Sequence, residues 1–219
     1  MRSISFFLPA VVLALAGTGL QLAAQTPAPA KAAASAAVAP APIKTNFKES
    51  GSSSAKVSIE LYTDYECPAC REFFLNTLPS VKKEFIDTGK VRLIHRDFPL
   101  QQHRYTRIAT KYANAAGQMG KYDLVATQIF QTQAEWAQNG NLDAVLARVL
   151  APGDLAKLKA MATTDTHLDD SVNVDVAMGG RDTLQQTPTI VIVANGKREV
   201  IAGAIPCPIL KQYLEQKLK

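Results

Sequence analysis

Hydrophobic positions along the chain alternate between two periods. Val57-Ser58-Ile59-Glu60-Leu61-Tyr62 is alternating and β-branched, which predicts a strand. From Cys67 to Leu78 the period is helical, with Cys70, Phe74, Leu78, Val81 and Phe85 on one stripe. Pro79 predicts a kink or a restart, and Gly89 closes the segment. Val91 to Arg96 reads as a second strand. Strand, helix, strand in that order is a βαβ unit, whose two strands run parallel. A long stretch of helical period follows. Its segments are Thr106 to Gln118, Tyr122 to Ala137 with the single Trp136, a third from Asn141, a fourth from Pro152, and Asp165 to Met178 ended by Gly179-Gly180. This is too much helix for one crossover and reads as an insertion beside the sheet, at about 104–180. Thr189 to Val193 returns to strand pattern. Asn195-Gly196 is a hairpin turn signal, Lys197 to Ile201 is the returning strand, and Gly203 ends it. Pro208 to Lys219 predicts a terminal helix with Leu210, Tyr213, Leu214 and Leu218 inward.

The first fifty residues have no such pattern. Arg2, the apolar run Phe6 to Ala16 and the small residues at Leu22-Ala23-Ala24 predict a signal peptide over 1–24. The apolar run is short against the ~20 residues of a membrane span, so cleavage is favoured over an uncleaved anchor. Residues 25–50 are rich in Ala and Pro and predict a linker. The folded domain is then 51–219.

Composition narrows the function. The chain of 219 residues is 47% hydrophobic with a formal charge of +5 that is dispersed, so no basic stripe favours nucleic acid. Three cysteines do not make a disulfide framework. Export together with one Cys-x-x-Cys points instead to redox work in an oxidising compartment.

That pair is Cys67-Pro68-Ala69-Cys70, at the junction of the first strand and helix. Pro68 suits the first helical position, which makes Cys67 the N-cap. A thiolate there faces unpaired N–H groups and the positive helix end, so its pKa falls below the free value of about 8.5. Cys70, one turn on, is placed to attack a mixed disulfide formed by Cys67. Ala69 has no donor to add, which leaves the helix end to carry most of the stabilisation. A zinc half-site is disfavoured, because Cys207, His95, His103 and His167 are not paired at ligand spacing. A static bridge would close too short a loop to add much stability. Cys207, in Ile205-Pro206-Cys207-Pro208, repeats the pattern of a thiol at a helix N-cap. It is a candidate third thiol, set against a semi-buried cysteine with no role. Trp136 is assigned to the core of the insertion.

Together the export signal, Cys67-Pro68-Ala69-Cys70, Arg96-Asp97-Phe98-Pro99-Leu100 with His103, Gln186-Thr187-Pro188-Thr189 and Ala202-Gly203-Ala204 form one pattern. The chain resembles the DsbA-like branch of the thioredoxin superfamily over about residues 50 to 219. The resemblance implies an α/β, thioredoxin-like fold, a central mixed sheet with flanking helices and an inserted α-helical domain. It implies a cis Thr187-Pro188 bond facing the cysteines, with Thr187, Pro188 and Gly203 forming a groove for an extended substrate. It implies a thiol–disulfide oxidoreductase with Cys67 and Cys70 catalytic. Dithiol oxidation is favoured, with reductase or isomerase activity and a peptide-binding chaperone as alternatives. No metal or organic cofactor is called for beyond the disulfide itself. The implied partners are unfolded or partly folded exported proteins and a membrane protein that resets the pair. One departure stands out. Where thioredoxin-like proteins often carry a buried acid, six residues before the first cysteine, this chain has Leu61. Glu66, Asp64 or water would then serve the proton of Cys70.

Overall fold

A computed structural model describes residues 48–219. The signal segment and most of the linker lie outside the described residues. Five strands form one sheet in the order β1-β3-β2-β4-β5: β1 (Glu49–Ser50), β2 (Val57–Thr63), β3 (Val91–Asp97), β4 (Thr189–Ala194) and β5 (Lys197–Ala202). β2 and β3 run parallel, as the βαβ reading requires, and the other pairings are antiparallel. Tyr62, Thr189 and Ala202 are register partners, so β2 and β5 both end at one end of the sheet. Asn195 and Gly196 turn the β4–β5 hairpin with φ of 52° and 71°. Both values lie in the left-handed region that a tight hairpin of this kind needs.

The helical run after β2 passes through Pro79 without breaking. It consists of α1 (Pro68–Glu72), a π-helical turn Phe73–Thr77, α2 (Leu78–Val81) and a second π-helical turn Lys82–Ile86. Pro79 has no N–H for the carbonyl four residues earlier. Just before it, the amide of Leu78 bonds the carbonyl of Phe73, five residues back. The wider turn accommodates the proline and keeps Cys70, Phe74, Leu78, Val81 and Phe85 all buried. Phe73, one turn after Cys70, is buried on the same face.

Between β3 and β4 lie α3 (Thr106–Gln118), α4 (Tyr122–Gln131), α5 (Gln133–Trp136), α6 (Leu142–Leu146), α7 (Pro152–Thr164) and α8 (Thr166–Arg181). Two expectations change here. The segment Tyr122 to Ala137 is split at Thr132, and Gly179-Gly180 does not end α8, which runs on to Arg181. A Cβ at Gly179 would stand 2.6 Å from the Phe98 ring. That glycine therefore serves close packing of α8 on the loop after β3. Trp136 is fully buried, and its indole N–H donates to the carbonyl of Ile129 at 2.7 Å.

The linker boundary also moves. Glu49–Ser50 pairs with β3, and Lys48 is 1% exposed. The Nζ of Lys48 lies 2.6 Å from Asp97 and 2.5 Å from Asp175, and Arg96 and Asn114 complete the cluster. Burial opposes the charge on Lys48, but the two carboxylates outweigh it and raise its pKa. So the packed domain starts no later than residue 48. At the other end, α9 (Cys207–Lys217) buries Leu210 and Leu214, while Leu218 is exposed, contrary to the inward expectation. It lies beyond the last helical turn. β5 is the long outer strand of the sheet, with Lys197 and Arg198 exposed and Glu199 half-buried.

Candidate active site

The loop from Asp64 to Cys67 joins β2 to α1 and is held by side chains from three directions. Asp64 is fully buried. Its carboxylate accepts from the amides of Glu66 and Leu100, each at 2.7 Å, and lies 2.9 Å from Nδ1 of His103. The Glu66 carboxylate accepts from the amide of Tyr105 at 2.6 Å. The hydroxyl of Thr106 accepts from the amide of Tyr65 at 3.1 Å. Gln133, from the helical insertion, donates to the carbonyls of Tyr65 and Cys67.

This frame aims two thiols. Cys67 is the N-cap of α1, with Pro68 at the first helical position, and no side chain caps the helix. Both Pro68 and Ala69 are exposed beside it. Cys67 is 7% exposed and Cys70 fully buried, and both are free thiols. The pKa of Cys67 is lowered from 9.0 to about 5. The largest cause is the Cys70 thiol, which donates to it; burial opposes, and the Thr187 side chain and the amides of Cys70 and Ala69 assist. This corrects the expectation that the helix end carries most of the stabilisation. Cys70 is pushed up, first by burial and then by the bond to Cys67, with the Thr187 side chain and the amide of Asp64 at 3.5 Å acting in the other direction.

Thr187 stands opposite. In its thiol form Cys67 donates to the Thr187 carbonyl at 3.3 Å. The Thr187 hydroxyl is buried with no hydrogen-bond partner among the described residues, and its proximity helps to lower the Cys67 pKa. The Thr187-Pro188 bond is cis. The amide of Gly203 donates to the Pro188 carbonyl at 2.8 Å, which sets Gly203 beside this loop.

The other sequence candidates are distributed differently. Leu61 is buried on the face that carries Cys70, and its register partner is His95. Burial pushes His95 down to about 3, so its imidazole is neutral. Glu60 lies on the opposite face, where it accepts a two-pronged bond from Arg198 at 3.1 Å. Cys207 is the first residue of α9, with Pro206 as N-cap, so the predicted N-cap placement is off by one. Its sulfur lies 3.9 Å from the carbonyl of Thr77. Gln133 and Thr106 were not singled out from sequence. Asp64 was considered only for proton transfer, yet an Asp two residues before a loop amide is a recognisable turn signal.

A family model described as Thioredoxin matches residues 47–202. The chain belongs to this thioredoxin family. Disulfide bond formation protein D of Bacillus subtilis is 27% identical over 183 residues, covering 77% of this chain and 76% of that protein. A probable disulfide bond formation protein D of Bacillus cereus is 43% identical over 49 residues. The chain spans 23% of the length of that relative. Among solved structures, α-DsbA1 of Wolbachia pipientis superposes with a TM-score of 0.66 at 21% identity, covering 78% of this chain and 90% of that one. Oxidised BdbD of Bacillus subtilis gives 0.64 at 24% identity, covering 78% and 92%. This member of the thioredoxin family therefore has the DsbA-like fold, a mixed sheet with flanking helices. Among its described residues no helix is long and apolar enough to cross a membrane.

Proposed function

We propose that the protein is an exported thiol–disulfide oxidoreductase acting as a dithiol oxidase. The observation that carries this is the Cys67 thiol, held at a pKa of about 5 by its buried partner Cys70. In the oxidised protein a client thiolate attacks the sulfur of Cys67. The Cys67–Cys70 bond breaks, and Cys70 leaves and takes up a proton. A second client thiol, deprotonated, attacks the client sulfur of the mixed disulfide, and Cys67 departs as a thiolate. The client loses two electrons and gains a disulfide, and the protein's disulfide becomes a dithiol. A low pKa makes Cys67 a good leaving group and stabilises the reduced protein, and both favour oxidation of clients. The name of the Bacillus subtilis relative, disulfide bond formation protein D, agrees with this direction.

The Thr187 backbone beside Cys67, with Pro188 and Gly203, would receive an extended client segment by strand addition. Clients would be unfolded or partly folded exported proteins. The dithiol left after each turnover requires a membrane redox partner to reset it. The chemistry calls for no metal or organic cofactor, since the cysteine pair holds both electrons. The reduction potential is the deciding experiment. A value well above that of thioredoxin, about −270 mV, supports the oxidase; a value near it supports the reductase or isomerase alternative. A Cys67→Ser protein that protects clients as well as a wild type that oxidises none of them would leave only the chaperone reading.

A further inference from the structure

The helical insertion reaches the active-site loop at the break between α4 and α5. Thr132 occupies the break with φ −102° and ψ 17°, and the helix restarts at Gln133. Gln133 is 7% exposed. Its Nε2 donates to the Tyr65 carbonyl at 2.7 Å and to the Cys67 carbonyl at 3.0 Å. A side-chain amide has two N–H groups, one for each oxygen. Nearby, Nε of Arg71 donates to the Phe130 carbonyl at 3.1 Å, so the contact is tied in both directions. The Cys67 carbonyl also closes the first turn of α1 by accepting from the amide of Arg71 at 3.1 Å. Gln133 thus grips the peptide units on both sides of Glu66-Cys67. The orientation of those units decides where the Cys67 sulfur points relative to Cys70, Thr187 and the helix amides.

We propose that Gln133 is a positioning residue through which the helical insertion sets the acidity of Cys67 and the redox equilibrium of the pair. Without its two N–H groups the Tyr65 carbonyl loses its donor inside the protein. The loop then turns that oxygen toward another partner, and the Cys67 sulfur leaves the geometry in which its donors converge. The thiolate is destabilised and the equilibrium moves toward the disulfide. The redox consequence rests on the oxidoreductase reading, but the acidity of Cys67 is measurable without any client.

Gln133→Met keeps the length and apolar volume of the side chain and removes both donors. Gln133→Glu keeps the shape but leaves at most one donor, the acid O–H, for two carbonyls. Thiolate absorbance of each reduced full-length protein is followed against pH, and each is equilibrated with glutathione. For Gln133→Met the midpoint of Cys67 is expected to rise by about one pH unit, with a roughly tenfold shift toward the disulfide. Gln133→Glu shifts both in the same direction, because at least one of the two carbonyls loses its donor. Wild-type midpoints and equilibria in a variant whose circular dichroism is native overturn the proposal. If Gln133→Met does not fold, Gln133→Glu decides by the same two readouts. A wild-type protein that oxidises no reduced peptide would reject the oxidoreductase reading alone, and the thiolate titration would still test Gln133.

Discussion

Cys67 and Cys207 are two thiols at the starts of two helices, each followed by proline, at the same end of one sheet. Only one of them sits in a converging set of donors. Cys67 caps α1 and has the Cys70 thiol, the Thr187 hydroxyl and two amides directed at it. Cys207 lies one residue inside α9, and its sulfur rests against the Thr77 carbonyl, an acceptor, at 3.9 Å. What distinguishes Cys67 is a second thiol one turn away and a loop across the sheet that offers a hydroxyl.

The largest effect should come from removing each sulfur. Cys67→Ser abolishes exchange with reduced peptides, while Cys207→Ser leaves the rate within about twofold, as expected for sites without shared partners. Comparable losses in both variants would erase the distinction. Next, Cys70→Ala removes the main donor to the thiolate. The Cys67 midpoint should rise from about 5 by roughly one to two pH units, the equivalent of one hydrogen bond to a charged group. An unchanged midpoint would return the credit to the helix end.

A third test reads the same shift as stability. The folded pKa of Cys67, about 5, lies below its ordinary value of 9.0. Its contribution is fully present above the unfolded value and is lost as pH falls through the folded one. The reduced protein should therefore gain a few degrees in melting temperature between pH 4 and pH 8 relative to Cys67→Ser, and Cys207→Ser should follow the wild type. Parallel curves for the wild type and Cys67→Ser would contradict the assignment. The smallest effect is that of Thr187→Val, which removes one hydroxyl. It should raise the Cys67 midpoint by less than Cys70→Ala does, again by thiolate titration.

Much of this was legible in the residues. The apolar periods located β2, β3, the hairpin and α3, because strand alternation and the helical stripe record which faces are buried. The cysteine pair was legible because its chemistry is local to four residues. Other features were not, for physical reasons. Gly179 reads as a helix stop because glycine lowers helix propensity, but its lack of a side chain makes room for Phe98, some eighty positions away in the chain. Lys48 reads as linker because lysine is usually solvated, and its burial depends on Asp97 and Asp175 being brought together by folding. Gln133 and Thr106 act on backbone atoms of the loop, and hydrogen bonds to distant backbone leave no periodic trace in sequence.

The outer strand of the sheet has a consequence of its own. β5 exposes Lys197 and Arg198 at its start and Val200 further on, and Arg198 is tied back to Glu60 and Asp182, while Glu199 is tied to Tyr213 and Lys217. An unpaired strand edge is a template for any extended chain, and charge along it discourages that pairing. A protein that handles unfolded chains at Thr187 would be at risk of accumulating them on β5 as aggregates. If clients dock at Thr187, the ion pairs at the start of β5 would discourage their pairing along this edge.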